Sequence, residues 1–189
     1  MTDPSRQSAD ADLFTPSAAR LATLFYSNLG ELGQFEPVSV DSLPADYRTL
    51  LAHQDHMTVS LEAFHNSLVE VHPLDEWRDE SSYARCSLLS RQSDGAVVQF
   101  GIMRIWLADL PEAAQAEIVS KKTPLGRVLI RHNVLREVEL ITLWQIDPGP
   151  VLRRRLPIQS GAPLYGRSAE ILVDERPTVQ LLEIVTLPT

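Results

Sequence analysis

The sequence predicts an α+β domain built on one antiparallel β-sheet of about six strands, with helices packed on one face. Three observations predict it. Short β-rich runs follow one another through links too brief for a parallel crossover, so neighbouring strands must pair antiparallel. Stretches with helical spacing of apolar residues lie outside those runs, near the N-terminus and again in the middle of the chain. The 189 residues, 44% hydrophobic and 22% charged, suffice for one domain with a real core and are too few for two comfortable ones.

The first residues have no periodicity, so 1–13 is expected to be a flexible tail ahead of a single domain over 14–189. Over 17–32, Ala19, Leu21, Leu24, Phe25 and Leu29 fall close to helical spacing, and Gly33 and Pro37 end the run. Ser42 is a candidate N-cap, with Pro44 near the first turn of a second helix carrying Tyr47, Leu50 and Leu51. After Met57 the texture becomes β-rich, over 58–65, 68–72, 83–89 and 96–107. His65-Asn66-Ser67 reads as the hinge of the first pair and Ser93-Asp94-Gly95 as the turn of the second. Pro111 opens a helix over 112–119, and Thr123-Pro124 reads as the N-cap and first residue of a short helix to about Ile130. A long strand is expected over 134–146, ending in the turn Asp147-Pro148-Gly149-Pro150. Two strands, 164–173 and 178–187, close the chain around Asp174-Glu175-Arg176-Pro177.

The formal net charge of -8 argues against a general nucleic-acid binder, which needs Lys and Arg to displace counterions from phosphate. An anionic ligand must therefore meet a local basic pocket. The lone cysteine, Cys86, forms no internal disulfide and is expected to pack rather than react. No stretch resembles a signal peptide or reaches the length of a membrane span, which points to a cytoplasmic protein, taken as a monomer by default.

His53-Gln54-Asp55-His56 is the densest group of potential metal ligands, yet the remaining histidines show no spacing that nominates a third, so a solvated helix end is favoured. There is no Gly-rich phosphate loop and no nucleophile elbow, and no metal or organic cofactor is expected. Arg153-Arg154-Arg155 reads as a solvated surface segment. Glu183, among Leu181, Leu182, Ile184 and Val185, is a carboxylate that its apolar neighbours should disfavour as an anion, the mark of a proton carrier or a paired charge. The bland alternative is an outward residue of an edge strand. Alternation puts Arg85 on one face with Tyr83, Ser87 and Leu89, where a guanidinium wants a carboxylate from the protein or from a ligand.

Several of these segments, in this order, resemble the chorismate lyase family, whose fold is shared by the UTRA ligand-sensing domains of some transcription regulators. Leu50 to Thr58 looks like the family's helix end leading into a Met-Thr step, Arg85 falls at its acid-binding arginine, and Thr123-Pro124-Leu125-Gly126-Arg127 matches its Thr-Pro-Leu-Gly turn. Tyr165-Gly166-Arg167-Ser168 and the run from Pro177 to Pro188 resemble the closing strands, placing Glu183 on the family's acidic residue. Cys86 stands where an acidic residue often follows the arginine, and the stretch before Glu183 is one residue longer than in the family.

The resemblance implies a buried ligand site and a cofactor-independent lyase that eliminates pyruvate from chorismate to give 4-hydroxybenzoate, a step that serves aromatic-acid and ubiquinone biosynthesis. Under it, Arg85 binds the ring carboxylate, the amides of Met57 and Leu125 orient the substrate, and Glu183 assists proton movement at the ring hydroxyl. Arg167 or Arg127 receives the enolpyruvyl carboxylate. Two alternatives stand beside it: a non-catalytic binding or sensor domain for an aromatic acid, and a related lyase for another enolpyruvyl or aromatic substrate.

Overall fold

The computed structural model describes residues 18–159 and 161–187. The expected tail over 1–13 lies outside the described residues. Among the described residues seven strands, all antiparallel, form one sheet: β1 (Gly33–Val38), β2 (Val69–Arg78), β3 (Tyr83–Arg91), β4 (Val97–Ile105), β5 (Arg136–Pro148), β6 (Leu164–Val173) and β7 (Arg176–Val185), in the order β1-β5-β6-β7-β4-β3-β2. Four helices, α2 (Ala45–Leu51), α3 (Met57–His65), α4 (Glu112–Ser120) and α5 (Leu125–Arg131), pack on the face that carries Arg85 and Glu183. Two short ones, α1 (Ala18–Ala22) and α6 (Pro150–Arg155), pack with Cys86, Ile102 and Leu182, whose side chains alternate to the other face.

Several elements depart from the sequence reading. The helix expected over 17–32 is regular only over Ala18–Ala22 and continues as turns to a single 3-10 turn at Leu29–Glu31, and the strand expected over 178–187 runs Arg176–Val185, because the turn takes only Asp174 and Glu175. Residues 58–65, expected as a strand, are helix α3: Met57, Leu61 and Phe64 recur at helical spacing, and burying Met57 and Leu61 outweighs the β preference of Thr58, Val59 and Phe64. Asn66, read as a hairpin hinge, instead ends that helix in the left-handed conformation at φ 47°. Residues 33–38, read as a helix stop, form edge strand β1, where Pro37 is tolerated because an edge leaves one row of N–H groups unpaired. The turn expected at 147–150 is shared between the end of β5 and α6, with Gly149 as N-cap and Pro150 at the first helical position.

The closing hairpin sets the site. Asp174 and Glu175, both at positive φ (49° and 63°), make the two-residue turn that pairs Val173 with Arg176. Without interruption that register would put Leu182 opposite Arg167. A one-residue shift between Ile171 and Leu172 leaves Thr178 unpaired on β7 and brings Glu183 opposite Arg167. β7 lies between β6 and β4 and is buried along nearly all its length, so Glu183 is not an outward residue of an edge strand.

Candidate functional site

Antiparallel register lines up one row of residues across four strands: Arg167 on β6, Glu183 on β7, Gly101 on β4 and Ser87 on β3. Gly101 has no side chain in the middle of that row. The gap it leaves opens into a cavity of about 610 Å³, mouth included, under the first turns of α3 and α5. Arg85, two residues along β3, sits beside the gap.

Met57, Arg85, Leu125, Arg167 and Glu183 all line this one cavity. Arg127 does not: its guanidinium is bonded to the Glu62 carboxylate and the Val69 carbonyl, which ties α5 to α3 and β2. The sequence reading missed Gly101 and Gln99. Neither carries a motif, and both are placed by strand register over long sequence separations.

The two inward arginines differ. Arg167 is fully buried and donates its Nε to Glu183 Oε2 (2.7 Å), one terminal nitrogen to the His53 carbonyl (2.9 Å) and ring Nδ1 (3.3 Å), and the other to the Asp55 carbonyl (3.1 Å). All three of its nitrogens thus meet protein acceptors. Glu183 is therefore a paired carboxylate, the second of the two possibilities its apolar neighbourhood raised. His53 completes the arrangement: its Nε2 lies 2.6 Å from the Leu50 carbonyl, which accepts only if Nε2 is protonated, so the lone pair at Nδ1 faces Arg167.

Arg85 is 3% exposed, and its Nε has no hydrogen-bond partner among the described residues. One terminal nitrogen donates a long bond, 3.4 Å, to the Ile118 carbonyl, and the Tyr83 hydroxyl is a further side-chain partner. Glu76, across the ladder on β2, is taken up by Lys121 (3.2 Å) and the Tyr83 hydroxyl (3.3 Å). Burial pushes the Arg85 pKa down, against the pull of Tyr83 and Glu76. A buried cation with free donors is costly unless an anion reaches it.

The helix starts add to this. Neither α3 nor α5 has a side-chain cap, and the residues at both N-terminal ends, His56 to Thr58 and Pro124 to Gly126, face the cavity. First-turn N–H groups have no partner within their own helix, so the amides of Met57 and Leu125 are available to a ligand. Gly126 lets the two starts approach, since a Cβ there would lie 3.0 Å from Thr58 Oγ1 and 3.1 Å from His56 Cβ.

His53 and His56, weighed above as metal ligands, use their rings otherwise. His56 stands between the cavity and an outer groove lined by Asp55, Arg136 and Glu137, and its Nε2 accepts from Arg136 Nε. Burial, then Arg136 and Arg167, hold its pKa down at about 4. Cys86 is buried on the far face, 3.5 Å from the Tyr26 hydroxyl, with burial pushing its pKa up to about 11. Arg153, Arg154 and Arg155 are exposed on α6.

Neither a protein-family model nor a curated protein sequence matches the chain. Among solved structures, it is similar to the effector domain of PhnF from Mycobacterium smegmatis, at 10% identity and a TM-score of 0.49, over 79% of this chain and 91% of that one. Against a second PhnF structure from that organism, the match covers 70% of this chain and 64% of the other, again at 10% identity and a TM-score of 0.49. The ligand-binding domain of a GntR-family transcriptional regulator from Bordetella bronchiseptica matches at 13% identity and a TM-score of 0.46, over 62% of this chain and 85% of that one. At these values no ligand or activity passes from those proteins to this chain.

Proposed function

We propose that the cavity binds chorismate through Arg85 and that the domain eliminates pyruvate from it to give 4-hydroxybenzoate. The observation that carries this reading is the buried Arg85 guanidinium, whose Nε lacks a partner among the described residues, in a cavity also lined by Glu183 and two uncapped helix starts. The ring carboxylate pairs with Arg85 and relieves its desolvation. The amides of Met57 and Leu125 orient the ring, and Glu183, fixed by Arg167, stands at the hydroxyl end.

The step balances without a co-reactant. The ring–ether C–O bond and the C–H bond on the hydroxyl-bearing carbon both break, and the ring closes its aromatic sextet. The proton ends on the methylene carbon of the released enolpyruvate, which becomes pyruvate. Aromatisation drives the reaction, so the site need only hold the substrate in a reactive pose and help that proton move.

A second reading, a non-catalytic binding module for an aromatic acid, draws on the Arg167–Glu183 pair. One oxygen of that carboxylate is already committed to a guanidinium at 2.7 Å, an arrangement that suits holding a ligand more than moving its proton.

The test is an assay of the purified chain with chorismate, in the presence of a chelator, following 4-hydroxybenzoate by chromatography. Product at an enzymatic rate, suppressed in Glu183→Gln far more than 4-hydroxybenzoate affinity is, is the expected result. Binding without product moves the chain to the second reading, and neither binding nor product overturns both.

A further inference from the structure

The two ends of the cavity ask opposite things of a ligand. At one end the unmet group is a donor, the Arg85 Nε. At the other it is an acceptor: Gln99, on β4, is 6% exposed and lines the cavity, and its Oε1 is buried with no hydrogen-bond partner among the described residues. His56, Thr58 and Ser87 line the same space, and none of them meets that oxygen. Glu183 adds a second acceptor, because Arg167 Nε engages one of its oxygens, Oε2, and a carboxylate accepts at both.

Strand register makes the two acceptors neighbours. Glu183 is the partner of Gly101 across the β4–β7 ladder, and a Cβ built on Gly101 would lie 3.0 Å from Gln99 Nε2. Cβ atoms of directly opposed residues are about 5 Å apart, so the Gln99 amide and the Glu183 carboxylate border the same gap. Arg85 belongs to the row beyond it: its partner Met103 lies two residues from Gly101, in the direction away from Gln99. Two residues of strand span about 7 Å, close to the reach of a benzene ring between para substituents. Chorismate and 4-hydroxybenzoate each offer a single hydroxyl. That one donor serves Glu183 or Gln99, and the other acceptor stays unpaired.

We infer that the cavity is built to hold an aromatic acid with two adjacent hydroxyl groups: Arg85 takes the carboxylate, Glu183 the para hydroxyl, and Gln99 Oε1 the hydroxyl beside it. This rests on the reading of Arg85 as the carboxylate site and goes beyond it in requiring a second donor on the ligand. A neutral amide suits that position, since a second carboxylate beside Glu183 would set like charges together. A ligand without the second donor strands a buried acceptor, so Gln99 acts as a specificity residue.

The experiment titrates the full chain calorimetrically with three acids: 4-hydroxybenzoate, 3,4-dihydroxybenzoate, and 4-hydroxy-3-methylbenzoate, whose methyl group fills the place of the second hydroxyl without donating. The wild-type protein is expected to bind the dihydroxy acid about tenfold more tightly than 4-hydroxybenzoate, with no such gain for the methyl acid. In Gln99→Met, which keeps the length of the side chain and removes the acceptor, the advantage of the dihydroxy acid should vanish while 4-hydroxybenzoate binds as before. The wild-type comparison stands whether or not the variant folds. Equal affinity for 4-hydroxybenzoate and the dihydroxy acid overturns the assignment, as does an equal gain from the methyl acid or an advantage that persists in Gln99→Met. If the wild-type protein binds none of the three, the carboxylate-site reading itself fails, an outcome distinct from binding without preference.

Discussion

The Arg167 and Arg85 ends of the cavity are built from the same residue type, on strands of the same sheet, and they behave oppositely. Arg167 is wrapped by protein: one carboxylate, two carbonyls and a ring nitrogen take its donors. Arg85 is almost as deeply buried and far less completely met, with a long bond to a carbonyl, the Tyr83 hydroxyl, and an Nε that has no partner among the described residues. A completed cation is framework. An uncompleted one stores a desolvation cost that only an arriving anion relieves, so its burial reads as a socket rather than as stability.

The largest effect should come from breaking the framework end. Arg167→Met strands Glu183 as an uncompensated buried carboxylate and frees the His53–Asp55 strap, and about 3–5 kcal/mol of unfolding free energy should be lost in urea titrations. A loss below about 1 kcal/mol would erase the distinction between the two ends. Arg85→Met should do the reverse for stability, leaving it unchanged or raised by up to about 1 kcal/mol, since a costly buried charge becomes an apolar chain of similar length. Gly126→Ala sharpens the comparison from the roof. A methyl pressed against Thr58 and His56 spreads the two helix starts, so affinity for 4-hydroxybenzoate should fall by about tenfold with a smaller stability change.

A further effect is pH-dependent and belongs to the wall beside the framework end. His56 has its pKa held at about 4 in the fold against 6.5 when unfolded, so it contributes nothing unfavourable above pH 6.5. As pH falls from about 6.5 towards 4, the unfolded chain takes up a proton that the folded one resists, and stability declines by at most about 1.4 kcal/mol per pH unit. His53, whose pKa is also lowered, by burial first and then by Arg167, adds in the same direction. His56→Gln should flatten the slope in that window when unfolding is followed by denaturant titration, and an undiminished slope would remove His56 as its source.

How much of this was legible in the sequence follows the range of the interactions involved. The closing hairpin is local, and β6 was read with its observed ends. The helix opened by Pro111 is also local, and its reading fell one residue short. Helix α3 was misread because Thr, Val and Phe favour strands in isolation, while Met57 and Leu61 are decided by a core they meet only in the folded chain. β1 was missed because its partner, β5, lies about a hundred residues away. At the site, chemically conspicuous residues such as Arg85 and Glu183 could be singled out. Whether Glu183 was paired could not, since that depends on the one-residue shift between Ile171 and Leu172 that sets it opposite Arg167. Gln99 and Gly101 carry no signal of their own; a glycine inside a strand pattern was the one available hint of a close approach or a gap.

The central claim is that Arg85 is left without a carboxylate and with an unpartnered Nε because a ligand completes it. The most direct measurement is calorimetric titration of 4-hydroxybenzoate into the wild-type protein and into Arg85→Met, with both first shown to be folded and equally stable. The account predicts binding to the wild type and a loss of about a hundredfold in affinity for the variant. Equal affinity for the two proteins would contradict it, because the acid would then be held somewhere other than at Arg85.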